Sequence, residues 1–69
     1  MYEIEFKLKE KRILANISQA DLAERCNMSQ SYISRVERNL KTPTLKNIEK
    51  FSNALQLHPY DLIKVHKIL

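Results

Sequence analysis

The sequence predicts an all-α fold: a compact bundle of five short helices in one domain over residues 1–69, with helices 2 and 3 meeting at a tight turn. Three observations predict it. Apolar residues recur at helical spacing, as in Leu22, Ala23 and Cys26 and again in Ile33 and Val36. Ser18, Ser29 and Thr44 each stand just before such a run, where a hydroxyl can cap a helix. The chain has no glycine, yet Asn16, Asn27 and Asn39 fall where apolar-periodic segments end. Asparagine tolerates the left-handed backbone, so it stands in for glycine at helix C-termini.

The spacing places helices at about Glu5–Ala15, Gln19–Cys26, Gln30–Arg38, Leu45–Leu55 and Pro59–Lys67. The first has two readings. Tyr2, Ile4, Phe6 and Leu8 alternate with Glu3, Glu5 and Lys7, which is a strand pattern. From Leu8 onward the spacing of Leu8, Arg12 and Ala15 is helical. A helix from Glu5 with a short extended lead is the favoured reading, and a small β arm is the alternative. Ser18 with Asp21 resembles a capping box at the start of the second helix. Ser29 and Thr44 cap the third and fourth. In the fifth, Pro59 takes the first helical position and Asp61 lies in the first turn.

Bulk properties limit what the chain can do. With 69 residues, 43% hydrophobic and 29% charged, it buries roughly 60% of its unfolded surface and gains modest stability. No apolar run approaches a membrane span, and Met1–Lys11 lacks the apolar block of a signal peptide, so a cytoplasmic location is expected. The single Cys26 suits a reducing compartment and lies on an apolar stripe as a core residue. Catalysis has little to work with, and no enzyme activity is expected. His58 and His66 have no metal-ligand spacing with Cys26, so no metal is expected, and there is no glycine-rich phosphate loop. No cofactor or small-molecule ligand is expected. His58 reads as a helix cap and His66 as a solvent-facing residue.

Double-stranded DNA fits far better. Net charge is +4, and Arg35, Arg38, Lys41 and Lys46 gather against a lone acid, Glu37. Such a cluster is a footprint for phosphate. Gln30, Ser31, Tyr32, Ser34 and Arg35 have no evident core task, and polar side chains borne outward on a helix are what major-groove reading requires. The corner itself is specific. Ala23 is small where two helices cross, Asn27-Met28 supplies a left-handed residue and an apolar plug, and Ile33 and Val36 pack on Leu22 and Cys26.

These residues resemble the lambda-repressor-like, Cro-type (XRE) helix-turn-helix domains. The matching positions are Ser18-Gln19, Leu22-Ala23, Met28-Ser29, Ser31, Ile33-Ser34, Val36-Glu37 and Pro43-Thr44-Leu45, continuing through Ile48, Phe51, Ala54-Leu55 and Leu62. The chain departs from the family at Asn16, Asn27, Asn39 and Gln56, where glycine is usual, and at Lys11, where an apolar residue is frequent. The resemblance implies a helix-turn-helix made by helices 2 and 3, and a transcriptional regulator that binds operator DNA as a homodimer. It implies that Gln30 is the principal base reader, suited to adenine, with Ser31, Ser34 and Arg35 as further groove-facing residues. Tyr32 would pack on a sugar or a thymine methyl. Gln19, Arg38, Asn39, Lys41, Thr42 and Arg12 would hold the DNA backbone. Two residues keep a second reading: Arg35 pairs with Glu37 or Asp21, and Tyr32 is partly core. Glu37 is read as structural, bonding Arg12 or the following turn. The short chain looks like phage repressors and restriction–modification controllers, and the stretch from Ser31 to Asn39 looks especially like the controllers.

The C-terminal segment carries more apolar residues than one helical face needs. Tyr60, Ile63, Val65, Ile68 and Leu69 therefore read as a dimer surface. The competing reading is that they pack back on helix 1. Two other functional classes compete: an antitoxin-like or anti-repressor-like protein-interaction module, and the DNA-binding half of a longer ligand-sensing regulator.

Overall fold

Helix starts lie where the capping residues mark them. A computed structural model describes residues 1–69. Ser18 Oγ accepts the Asp21 N–H at 3.0 Å and opens α2, Gln19–Cys26. Ser29 Oγ accepts the Tyr32 N–H at 3.1 Å and opens α3, Gln30–Glu37. Thr44 Oγ1 accepts the Asn47 N–H at 3.1 Å and opens α4, Leu45–Leu55. The first helix, α1, spans Leu8–Leu14 and has no side-chain cap. His58 caps a single 3-10 turn, Pro59–Leu62, through a 3.0 Å bond from the Tyr60 N–H to Nδ1.

All four helices stop by the same device. Asn16, Asn27, Asn39 and Gln56 have φ of 58°, 55°, 61° and 55°. In each case the next residue reaches back across the helix end: Ile17 to Arg12 O at 3.2 Å, Met28 to Ala23 O at 2.9 Å, Leu40 to Arg35 O at 2.8 Å and Leu57 to Ser52 O at 2.9 Å. This is the Schellman closure, which satisfies carbonyls that a helix end would otherwise leave bare. Its apolar follower packs on the core at Ile17, Met28 and Leu57. Leu40 stays exposed.

The all-α expectation fails at both termini. Residues Tyr2–Phe6 form a strand, β1, and helix 1 begins at Leu8 rather than Glu5. The expected fifth helix stops after its 3-10 turn, and Ile63–Lys67 form β2, antiparallel to β1. The register pairs Phe6 with Ile63, Ile4 with Val65 and Tyr2 with Lys67. One face of this ribbon is therefore largely apolar. On the other, Glu3 opposes His66 and Glu5 opposes Lys64, so at the second pair a carboxylate meets a cation across the strands. His66 Nε2 also lies 3.0 Å from Glu5 Oε1, so that histidine is half-buried and bonded rather than free in solvent. β-Branched Ile63 and Val65 favour a pleated surface, and β1 supplies the hydrogen-bonding partner that the tail alone lacks.

The core gathers Leu8, Leu22, Ala23, Cys26, Ile33, Val36, Phe51, Leu55 and Leu62. Phe6 brings the ribbon onto it, with its ring centroid 6.0 Å from that of Phe51. Cys26 is core, as expected, and burial pushes its thiol pKa up, away from a reactive thiolate. No helix is long and apolar enough to cross a membrane.

One ion pair joins α1, α2 and α3. Glu37, whose side chain is 2% exposed, accepts from Arg12 Nε at 2.6 Å, Arg12 Nη2 at 3.0 Å and Gln19 Nε2 at 2.9 Å. Arg12 Nη1 donates to the Ile17 carbonyl at 2.8 Å. Burial opposes ionisation of Glu37, but bonds from Arg12 and Gln19 and the charges of Arg12 and Lys9 outweigh it. The carboxyl is held below its ordinary 4.5. A depressed folded-state pKa gives stability that is complete above the unfolded value and lost as pH falls through the folded one.

Two predictions follow from this architecture. Glu37→Gln should destabilise the domain at pH 7 by about 3–5 kcal/mol, because Arg12 is left unpaired in a largely buried place. In urea unfolding, the parent should lose stability on acidification below pH 4.5 and the variant should lose less; equal acid losses would contradict the assignment. Gln56→Gly should raise stability by about 1 kcal/mol, since only glycine occupies the left-handed region without a Cβ penalty. Gln56→Ala should bring no gain.

Candidate nucleic-acid interface

Helices α2 and α3 meet where Ala23 is buried and small, and Leu22 and Cys26 from α2 receive Ile33 and Val36 from α3. Close approach at Ala23 fixes the crossing, and left-handed Asn27 reverses the chain between the helices. With Ile33 and Val36 turned inward, helical geometry forces Gln30, Ser31 and Arg35 outward. All three are exposed, and Ser34 is half-buried beside them.

Arg35 takes neither of its local alternatives. Glu37 is occupied by Arg12 and Gln19, and Asp21 pairs with Arg25 at 3.2 Å. Its guanidinium thus has no carboxylate partner and remains available to an outside acceptor. Arg38 bends back, donating from Nε to the Ser34 carbonyl at 3.3 Å, and is exposed. Asn39, Lys41 and Thr42 follow on the exposed loop to α4. Lys46 meets Glu49 at 3.2 Å, a solvent-exposed pair of little energetic weight. The outer side of α3 and the following loop together form a cationic, hydrogen-bonding ridge.

Three expected site residues are placed differently. Arg12 was expected on the DNA backbone, but its guanidinium is committed to Glu37 and Ile17, and its side chain is only 11% exposed. It is a structural cation. Gln19 shares its amide with the same carboxylate, leaving its carbonyl oxygen outside that bond. Tyr32 is half-buried and packs on the core, so its second reading is the one observed, and its hydroxyl bonds to Asn47. Nothing in the sequence spacing singled out Asn47.

The tail residues share no helical face. Tyr60 lies on the 3-10 turn, 77% exposed, its ring 4.7 Å from that of His58. Ile63 faces inward with Phe6 and lines a groove of about 300 Å³ with Val36, Ile48 and Pro43. Val65 lies on the same ribbon face, paired with Ile4, and both are uncovered, at 55% and 67% exposure. Ile68 continues the ladder through a 2.8 Å bond from its N–H to Met1 O, and Leu69 is exposed beyond it. No cluster of histidine, cysteine and acidic residues could hold a metal ion.

Known proteins share this arrangement. A helix-turn-helix family model matches residues 8–62. Over 49 residues, 71% of this chain, the sequence is 45% identical to Control protein C.BamHI of Bacillus amyloliquefaciens and spans 60% of that protein. The restriction-modification controller protein C.AhdI from Aeromonas hydrophila has a crystal structure similar to this one, with a TM-score of 0.78 and 36% identity over 81% of this chain and 85% of that one. The HTH-type transcriptional regulator SinR of Bacillus subtilis is 34% identical over 58 residues, 83% of this chain and 52% of the relative. SinR in complex with DNA gives a TM-score of 0.75 over 80% of this chain and 89% of that one. The chain spans about half the length of the curated relatives it matches, from 49% to 60%.

Proposed function

We propose that this chain, which belongs to the helix-turn-helix family, is a sequence-specific DNA-binding transcriptional regulator of the restriction–modification controller kind. The observation that carries this reading is the outward side of α3, where Gln30, Ser31 and Arg35 lie exposed and Arg35 lacks a carboxylate partner. Gln30 and Arg35 read base edges in the major groove, glutamine toward adenine and arginine toward guanine, with Ser31 and Ser34 beside them. Arg38, Asn39, Lys41 and Thr42 hold phosphates and set the register, and Gln19 adds its free carbonyl side through a water. The domain works in the cytoplasm, carries out no catalysis and needs no cofactor.

The regulator acts as a homodimer on a near-palindromic operator. A second copy covers the outer part of the ribbon's apolar face, Ile4 and Val65, with Tyr60, Ile68 and Leu69 at its margin. The face carries no acid, so a cationic protein can meet itself there without burying a carboxylate. Two-fold pairing would set the reading helices about one DNA turn apart, ~34 Å.

Selection of bound fragments from random DNA tests both halves of the proposal. It should enrich an inverted repeat. Gln30→Ala should then cost about 1–3 kcal/mol of discrimination at one symmetric pair of positions. Lys41→Ala should weaken all sequences alike and flatten the salt slope by about one. Unaltered selectivity in a shift assay of the Gln30 variant would remove α3 as the reading helix.

A further inference from the structure

The ribbon is the part of this fold with the least to hold it. β1 and β2 come from opposite ends of the sequence, with the helical body between them and no hairpin turn. The inner end is anchored. There the Lys7 N–H bonds the Leu62 carbonyl at 2.6 Å, Leu62 is buried and the Phe6 ring meets Phe51. The outer end is not. Tyr2, Ile4, Val65 and Ile68 are exposed, and the last backbone bond runs from the Ile68 N–H to the Met1 carbonyl at 2.8 Å. Backbone bonds in an antiparallel pair alternate, so Glu3–His66 and Glu5–Lys64 are the bonded pairs between those two. The N–H and C=O groups of Ile4 and Val65 then point to the outer edges with no partner in the chain. The one side-chain bond across the strands, His66 Nε2 to Glu5 Oε1, is half-exposed and carries little energetic weight. Fixing each backbone residue costs conformational entropy, and two strands alone in water are marginal at best.

We propose that the outer ribbon, residues 1–4 with 65–68, is open in a lone copy and closes only as a second copy covers Ile4 and Val65. The paired ribbon is the form that the dimer selects, while residues 5–7 with 62–64 stay closed in both. This inference rests on the homodimer reading above and adds to it the step that makes the interface. Apolar surface buried between copies offsets the entropy of closing the strands. Affinity between copies is lowered by the fraction of open ribbon, and anything that closes the ribbon beforehand raises it.

The test uses the full chain without DNA, at a series of concentrations, with sedimentation to give the dimer fraction. Hydrogen exchange is read at individual amides. The Glu3 and His66 amides should exchange freely where monomers dominate and slow at least about ten-fold as dimers form. Those of Ile33 and Val36 in the core helix should already be protected in the monomer. A staple gives a second readout. Tyr2 and Lys67 face each other in the register, as a non-bonded pair whose Cα atoms lie about 4.5 Å apart, within reach of a disulfide. Cys26 is buried and stays out of that bond. The oxidised Tyr2→Cys, Lys67→Cys protein should dimerise about ten-fold more tightly than its own reduced form.

Protection of Glu3 and His66 that is already complete in the monomer would overturn the proposal. Equal dimer affinity of the oxidised and reduced forms would overturn it as well. Both results leave the homodimer reading standing, because sedimentation reports the dimer independently. A chain that stays monomeric at every concentration would overturn the homodimer reading itself, and this inference with it.

Discussion

The Glu37 carboxylate is the point on which this small domain depends. It lies on α3 and gathers Arg12 from α1 and Gln19 from α2, so three helices converge on two oxygen atoms. A nearly buried charge is unfavourable alone, and it persists here because both oxygens accept from donors, one of them cationic. The geometry has a consequence for binding. By committing Arg12 inward, the chain gives up one surface cation, and in exchange α3 is held at a fixed angle with its polar side outward. Replacing such a pair by apolar residues often leaves stability unchanged, so its value here lies in direction.

The second constraint is the absence of glycine. Four helix ends still require a left-handed residue, and the chain uses Asn three times and Gln once. Each closure is followed by an apolar residue, and three of these anchor the turn to the core. The exception, exposed Leu40, leads into the loop that bears Lys41 and Thr42. That loop is thus the least anchored of the four junctions, which suits the phosphate-holding role proposed for it.

Much of this was legible in the chain. Hydroxyl caps at Ser18, Ser29 and Thr44 marked the starts of helices 2 to 4 and the Asn turns marked the ends of helices 1 to 3, because capping and left-handed closure are local chemistry. Ala23, Ile33 and Val36 made the corner visible through helical spacing. The ribbon was only half legible. Tyr2, Ile4 and Phe6 alternate as a strand should, but a strand needs a partner, and β2 lies at the far end of the sequence, beyond any local signal. Ile63 and Val65, spaced by two and flanked by polar residues, were the available hint. Both readings of Arg12 and Tyr32 were present in the sequence: Arg12 on DNA or bonded to Glu37, and Tyr32 on DNA or partly core. Asn47, the partner of the Tyr32 hydroxyl, lies on another helix, and one helix's pattern cannot anticipate it.

These constraints combine into one physical account: a carboxylate-centred clamp fixes the helix corner, and the corner turns the glutamine, serine and arginine side chains of α3 outward, to the base-reading position proposed for them. Methylation interference on a selected duplex tests that account most directly, because dimethyl sulfate marks guanine N7 in the major groove and adenine N3 in the minor groove. The account predicts that methylated guanine N7 positions within each half-site block binding while methylated adenine N3 positions there do not. Interference only from adenine N3, or none within the half-sites, would contradict it.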